Sequence, residues 1–196
     1  MRTSVILQPL RIIDSVAAAN IHFKTMTGPS TLLGKRYLQR LYKTLAVDPR
    51  HVSLAARVDR HLVGFVTATE DIEKTASMLH SLLTLDSYRA LIKKIIAFQV
   101  SPIEILKRFK FESYQAKSYR KPYLSIIAFC VDKYYQRKGI GSQLIHRMEK
   151  LAKKKGIKSI YVDTRKSNFS ARNFYKKLGF FEKAQIFGNV VFCKQS

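Results

Sequence analysis

From residue 124 to residue 181 the chain alternates strand patterning with helical periodicity twice over, and this alternation limits the fold more than any other feature. Residues 124–131, which contain the run "IIAFCV", have the length and β-branched content of a buried strand. A helical pattern follows over 139–155, then a strand at 159–163, a loop through Asn168, a helix ending near Leu178, and two closing strands around Phe181 and Val190. Strand, helix, strand, helix at this spacing requires a central sheet with helices on its faces, so the expected class is α/β with antiparallel parts.

The upstream half fits the same sheet. Residues 5–8 predict a short strand, and Ile12, Val16, Ala19 and Phe23 mark a helix over 11–24. After the break at "TGPS", a second helix is expected over 31–45, striped by Leu33, Tyr37, Leu41 and Leu45. Strands at 51–58 and 61–69 are joined by Asp59 and Arg60 as a tight hairpin turn. From 71 to 121 the pattern is helical only, as two or three basic amphipathic helices. One of them starts at Ser101 as N-cap, with Pro102 in its first turn and Glu104 placed for a capping box. Lys93, Lys94, Lys107, Arg108 and Lys110 are expected on solvated faces. With 196 residues the chain is read as one domain, residues 1–196, carrying a helical insertion at 71–121.

Charge bounds the partners. Lys and Arg number 36 against 13 Asp and Glu, a net charge of +23, so the surface attracts anions: nucleic acid, acidic membrane or phosphorylated ligands. The run 126–131 is far short of the roughly 20 apolar residues of a membrane span. The N-terminal "VILQPL" lacks the sustained apolar core and cleavage site of a signal peptide, so a cytoplasmic location is expected. Cys130 and Cys193 have no cysteine or histidine at ligand spacing, which gives a zinc site or disulfide framework no support.

The segment "QRKGIG", residues 136–141, lies where a loop leaves a strand and enters a long helix. Several amides there have no helical acceptor, and the helix dipole adds partial positive charge. Gly139 and Gly141 would let a ligand come close to the backbone, and Arg137 and Lys138 add full charges. A pyrophosphate is the natural guest. The spacing is neither a P-loop nor the full dinucleotide fingerprint.

A second motif, "NFSARNFYKKLGF" at 168–180, gives the glycine pair its context. Together the two elements resemble the GCN5-related N-acetyltransferase (GNAT) family. Its acetyl-CoA signature is matched by Gln136, Gly139 and Gly141, and its later signature by Asn168, Ala171, Phe174, Tyr175, Gly179 and Phe180. Detailed similarity covers about residues 124–181; the upstream elements agree in order, and the helical stretch between the third and fourth strands departs from a minimal member.

The resemblance implies a direct transfer of acetyl from acetyl-CoA to an amine, with no metal. It places main-chain N–H near Val131 on the oxyanion and the amides of Arg137, Lys138, Gly139, Ile140, Gly141 and Ser142 on the pyrophosphate. It places Asn168, with Ala171 one helical turn on, against the pantetheine arm, and Tyr175 beside the sulfur. A phenol of pKa about 10 is a plausible proton donor to a thiolate of about 8.5. For the general base the fourth strand offers neither carboxylate nor histidine. Water serves, or Glu70 at the end of the third strand, with Asp71 beside it and His80 and Glu112 in the insertion. Asp163 and Thr164 either shape the acceptor pocket or serve the turn. The expected acceptor is a primary amine on a small molecule; a protein N-terminus or lysine is the alternative. A basic nucleic-acid-binding protein is the competitor from another class. It has the charge but no RNP, KH or zinc pattern, so nucleic acid is expected only as a non-specific partner. No membrane partner is expected.

Overall fold

The computed structural model describes residues 4–97 and 101–195, excepting the side chains at 29, 102, 104–106, 108 and 109. One mixed sheet has the strand order β1-β2-β3-β4-β5-β7-β6. The strands are β1 (Ile6–Pro9), β2 (His51–Val58), β3 (His61–Thr69), β4 (Tyr123–Val131), β5 (Ser159–Arg165), β6 (Phe181–Ile186) and β7 (Asn189–Gln195). All neighbours are antiparallel except β4 and β5, which run parallel. The β2–β3 turn is made by Asp59 and Arg60 with φ of 48° and 68°. Two left-handed residues give the twist that a two-residue hairpin needs.

Among the described residues eight α-helices cover the faces: α1 (Ser15–Thr25), α2 (Pro29–Leu32), α3 (Lys35–Val47), α4 (Ile72–Ser81), α5 (Leu85–Ile96), α6 (Pro102–Ser118), α7 (Ile140–Lys154) and α8 (Phe169–Lys177). The helix expected over 31–45 is divided at Gly34, whose φ of 88° no L-residue in a helix adopts. Ser101 caps α6 by accepting from the Ile103 amide at 3.2 Å. The Glu104 half of the expected capping box and the expected exposure of Arg108 lie outside the described side chains. Lys93, Lys107 and Lys110 are exposed, and Lys94 is half-buried.

The two faces carry different layers. Leu124 and Ile126 of β4, Ile160 and Val162 of β5 and Phe192 of β7 pack against Ile140, Leu144, Ile145 and Met148 of α7. Opposite them, Ala55, Phe65, Ala128 and Cys130 receive Leu38, Leu41, Tyr42 and Leu45 of α3, with Ala18 and Ala19 of α1. Within this second layer His22 is buried between Tyr42 and Thr31, 3.2 Å from the Thr31 hydroxyl. Further along that face α6 docks through Tyr119, stacked on Tyr161 at 4.0 Å and 7°. Among the described residues no helix is long and apolar enough to cross a membrane.

Strand β4 changes face in mid-course. Thr67 of β3 stands opposite Ala128 and Ala68 opposite Ile126, so Ile127 is an extra residue, a bulge. At the same place β4 leaves β5: their pairing ends at Ile126 and Val162. Beyond it, 128–131 pairs with β3 and 163–165 with β7. The sheet therefore forks, with both open arms pointing to the carboxyl ends of parallel strands.

Candidate active site at the fork

Each arm of the fork leads into a helix start. From Val131 the chain passes through a 3-10 turn at Lys133–Tyr135 and the "QRKG" turn into α7; from Arg165 it turns into α8 at Asn168. Because β4 and β5 are parallel, both helix N-termini lie on one edge of the sheet, where open α/β sheets commonly hold ligands. The Gln136 side chain ties the turn back to its strand, donating through Nε2 to the Val131 carbonyl at 2.9 Å.

The two glycines answer to different constraints. Gly139 is the N-cap of α7 with φ 78°, and a Cβ there would meet only Gln143 Nε2 at 4.0 Å. Its glycine is required by conformation. Gly141 has an ordinary helical backbone, but an added Cβ would stand 3.0 Å from Phe129 Cζ and 3.3 Å from Phe174 Cζ. Its glycine is required by packing, so the close approach expected of a ligand is made here by two aromatic rings. Phe129 of β4 and Phe174 of α8 stack at 5.5 Å and 20°, and this contact joins both signature segments at one point.

The turn meets the requirements of a diphosphate. The first helical bond of α7 runs from the Gln143 amide to the Gly139 carbonyl, 3.1 Å, so the amides of Ile140, Gly141 and Ser142 precede any intrahelical acceptor. The Gly139 cap has no side chain to engage them. Arg137 is also left-handed, φ 60°, and paired turns of this hand build backbone concavities for anions. Arg137 and Lys138 are exposed; the Lys138 ammonium lies over Tyr134 at 4.3 Å from the ring centroid.

On the other arm, Asn168 Oδ1 accepts from the Ala171 amide at 3.1 Å and so caps α8. Its side chain is exposed, and the amide nitrogen carries its remaining donors. One turn on, Ala171 packs on the α7-side core with Phe174. Tyr175 is 5 % exposed among Phe129, Phe174, Phe180 and Phe192. Burial raises its pKa first, and the neighbouring Asp163 and Cys130 raise it further, so the phenol keeps its proton through neutral and mildly alkaline pH. The Cys130 thiol is pushed up to about 12 by burial, a measure of how poorly a thiolate is solvated there.

Glu70 is not brought to this group. Strand β3 runs antiparallel to β4, so its carboxyl end lies beside Ser125, at the closed end of the fork. There Glu70 ion-pairs with Lys155, just past the end of α7, so some 15 residues, or about 22 Å of helix, separate this pair from the glycine turn. It is a surface ion pair and not a base for chemistry at the fork. Asp71 is likewise occupied, capping α4 through the Lys74 amide at 3.0 Å. His146 is exposed on α7.

Among the described residues, the acids beside the fork are Asp163 and Glu112. They share the wall of a cleft between α4, α6 and the β4 bulge, together with Gln115. No sequence signal singles out Gln115, since only the docking of α6 beside β5 brings it to Asp163. The bulge at Ile127 was equally hidden, because an unbroken apolar run shows no change of face.

No curated protein matches the chain by sequence. The family model described as the acetyltransferase (GNAT) family matches residues 105–180. Solved structures share the fold over nearly the whole chain. The PaiA N-acetyltransferase of Thermoplasma acidophilum, in complex with coenzyme A, superposes with a TM-score of 0.65 at 15% identity, covering 98% of this chain and 99% of that one. Arabidopsis thaliana NAA60, in complex with a bisubstrate analogue, gives 0.62 at 19% identity, covering 98% of each chain. The ribosomal-protein-S18-alanine N-acetyltransferase of Escherichia coli gives 0.61 at 15%, covering 98% of this chain and 94% of that one. The residues matched by the family model include the forked strand, the glycine turn and the Asn168–Phe180 segment, and over this stretch the chain is similar to the GNAT acetyltransferase family.

Proposed function

We propose that this protein moves the acetyl group of acetyl-CoA directly to a primary amine on a small molecule. One observation carries it: the forked sheet brings an uncapped, cationic helix start and a buried tyrosine to the same edge. Amides 137–142 would hold the diphosphate, Arg137 and Lys138 adding charge, and Asn168 would donate through its amide nitrogen to the pantetheine arm. The unpaired edge of β4 beyond the bulge, ending at Val131, would supply main-chain N–H to the thioester oxygen as it gains charge.

The chemistry then needs few side chains. The neutral amine nitrogen attacks the thioester carbon; the C–N bond forms, the C–S bond breaks, and sulfur leaves as a thiolate. Among the aromatic rings that bury Tyr175 a thiolate is poorly solvated, and it takes the Tyr175 proton. The proton shed by nitrogen as the adduct collapses returns to Tyr175 through water. The products are the N-acetyl amine and coenzyme A with a free thiol.

Helices α4 and α6 wall the acceptor side, which favours a small amine over a polypeptide. The test is release of free thiol from acetyl-CoA with a panel of amines and peptides. Amine-dependent release supports the proposal; coenzyme A binding without release for any acceptor would overturn it.

A further inference from the structure

We infer that the outer face of α7 is a docking surface for nucleic acid, held through its phosphates and separate from the diphosphate turn at the head of the same helix. The sequence concentrates charge here: residues 133–158 hold nine Lys or Arg against one acid, Glu149. The fold then sorts these charges. Ile140, Leu144, Ile145 and Met148 are buried against the sheet, which fixes the helix and turns its other side outward. On that side His146, Arg147, Lys150, Lys153 and Lys154 are exposed. Arg147, Lys150 and Lys154 follow one another at three- and four-residue steps, so they form a single ridge, with His146 and Lys153 along one flank.

Among the described residues the ridge has no counter-charge. Glu149 accepts from Lys194 Nζ at 2.7 Å, and that ammonium also donates to the Leu178 carbonyl at 2.6 Å, on the side toward α8. Lys155, next along the chain, pairs with Glu70. Elsewhere the acids are matched to cations, Asp14 to Arg57, Asp48 to Arg50, Asp71 to Lys121 and Glu182 to Arg172. A solvated helix face ordinarily mixes both signs, because like charges three and four residues apart oppose helix formation. Lys153 and Lys154 complement the dipole at the helix C-terminus. Arg147 and Lys150 stand ahead of the last turn, where the dipole gives no such support. A ligand of opposite charge accounts for all four.

The class of ligand follows from the character of the face. The exposed large hydrophobic side chains include none between Tyr134 and Phe169, and the apolar side of α7 is inside the protein, so the helix offers a bilayer no anchor. Binding is therefore by charge alone. From Arg147 to Lys154 the ridge is about 10 Å long, a length over which a duplex carries about six phosphates. Arg147 lies about 10 Å past Ile140 along the helix, so the ridge and the diphosphate turn share no residue.

Fluorescence anisotropy with a labelled 20-base-pair duplex of mixed sequence, read across salt concentrations, tests this. The ridge variant combines Arg147→Gln, Lys150→Gln, Lys153→Gln and Lys154→Gln. The control combines Lys43→Gln, Lys93→Gln, Lys107→Gln and Lys110→Gln, exposed cations off α7 whose loss changes the net charge equally. The slope of log K on log salt should weaken by about three to four in the ridge variant and by less than about one in the control, with affinity falling about tenfold or more only in the former. Equal losses in the two variants would make net charge the whole cause and overturn the surface, as would a native protein that does not bind the duplex. Photo-crosslinking of the native complex needs no variant: labelled peptides should fall within residues 143–158, and labels confined to other segments refute the assignment. Tighter binding to phosphatidylserine vesicles than to the duplex would replace nucleic acid by a membrane. Calorimetric affinity for coenzyme A should stay within about twofold in the ridge variant, and a larger loss would make the ridge part of the donor site.

Discussion

Replacing Gly141 by alanine tests whether this glycine serves packing or ligand approach. In a helix, alanine is favoured over glycine by about 1 kcal/mol, so on backbone grounds alone the variant would be the more stable protein. The added Cβ, however, would stand 3.0 Å from Phe129 Cζ and 3.3 Å from Phe174 Cζ. Both rings must yield by a few tenths of an ångström, and they stack on each other at 5.5 Å. Overpacking of this kind costs about 1–3 kcal/mol, which exceeds the backbone gain. The expected result is a net loss of about 1 kcal/mol, read from the urea midpoint by circular dichroism, and a fall in Tm of about 2–4 °C. Because Phe129 lies on the open arm of β4, kcat/KM for acetyl-CoA should drop about tenfold, displacements well under an ångström being costly in a preorganised site. In a Phe129→Leu background the same change should be neutral or stabilising, a coupling of about 1 kcal/mol or more in a double-mutant cycle. Stabilisation of the native background by the full helical increment would refute the packing account.

Three further outcomes follow from the geometry. Tyr175→Phe keeps the buried ring and removes the proton; kcat should fall about 10²-fold with coenzyme A affinity within a few-fold, and a native kcat would remove Tyr175 from the chemistry. Glu70→Gln should leave kcat and its pH profile unchanged and cost under about 1 kcal/mol of stability, since it breaks only the exposed pair with Lys155; an altered pH profile would return Glu70 to the mechanism. Burial lowers the His22 pKa from 6.5 to about 4, so between these values the unfolded chain binds more protons than the folded one. Stability should be full above pH 6.5 and decline as pH falls to 4, by about 3 kcal/mol from this group, and a urea midpoint constant between pH 7 and 4.5 would contradict it.

Local chemistry was legible in the sequence, and long-range register was not. The β2–β3 hairpin could be read because its two-residue turn and alternating flanks are set by neighbours in the chain. The helix start at Ser101 was marked by its cap for the same reason. Gly34 divided an expected helix because the apolar stripe runs on across a backbone reversal. The glycine pair was located correctly, but the reason for Gly141 lay in two rings 12 residues upstream and 33 downstream, Phe129 and Phe174, that only tertiary packing brings together. Glu70 was assigned by its place at a strand end; which end of the sheet that is depends on the antiparallel register with β4. The fork itself arises where one strand bulges and another leaves it, an event that the continuous run "IIAFCV" conceals.

The central claim is that acetyl passes from coenzyme A to an amine across this fork without resting on the protein. Incubating the protein with acetyl-CoA carrying a ¹³C-labelled acetyl group and with a primary amine from the panel, then measuring the intact protein, the amine and free coenzyme A by mass spectrometry, follows the group itself. The expected result is labelled acetyl on the amine, an equal amount of coenzyme A with a free thiol, and an unmodified protein at every time point. Label trapped covalently on the protein, or coenzyme A released without acetylated amine for any primary amine supplied, would contradict it.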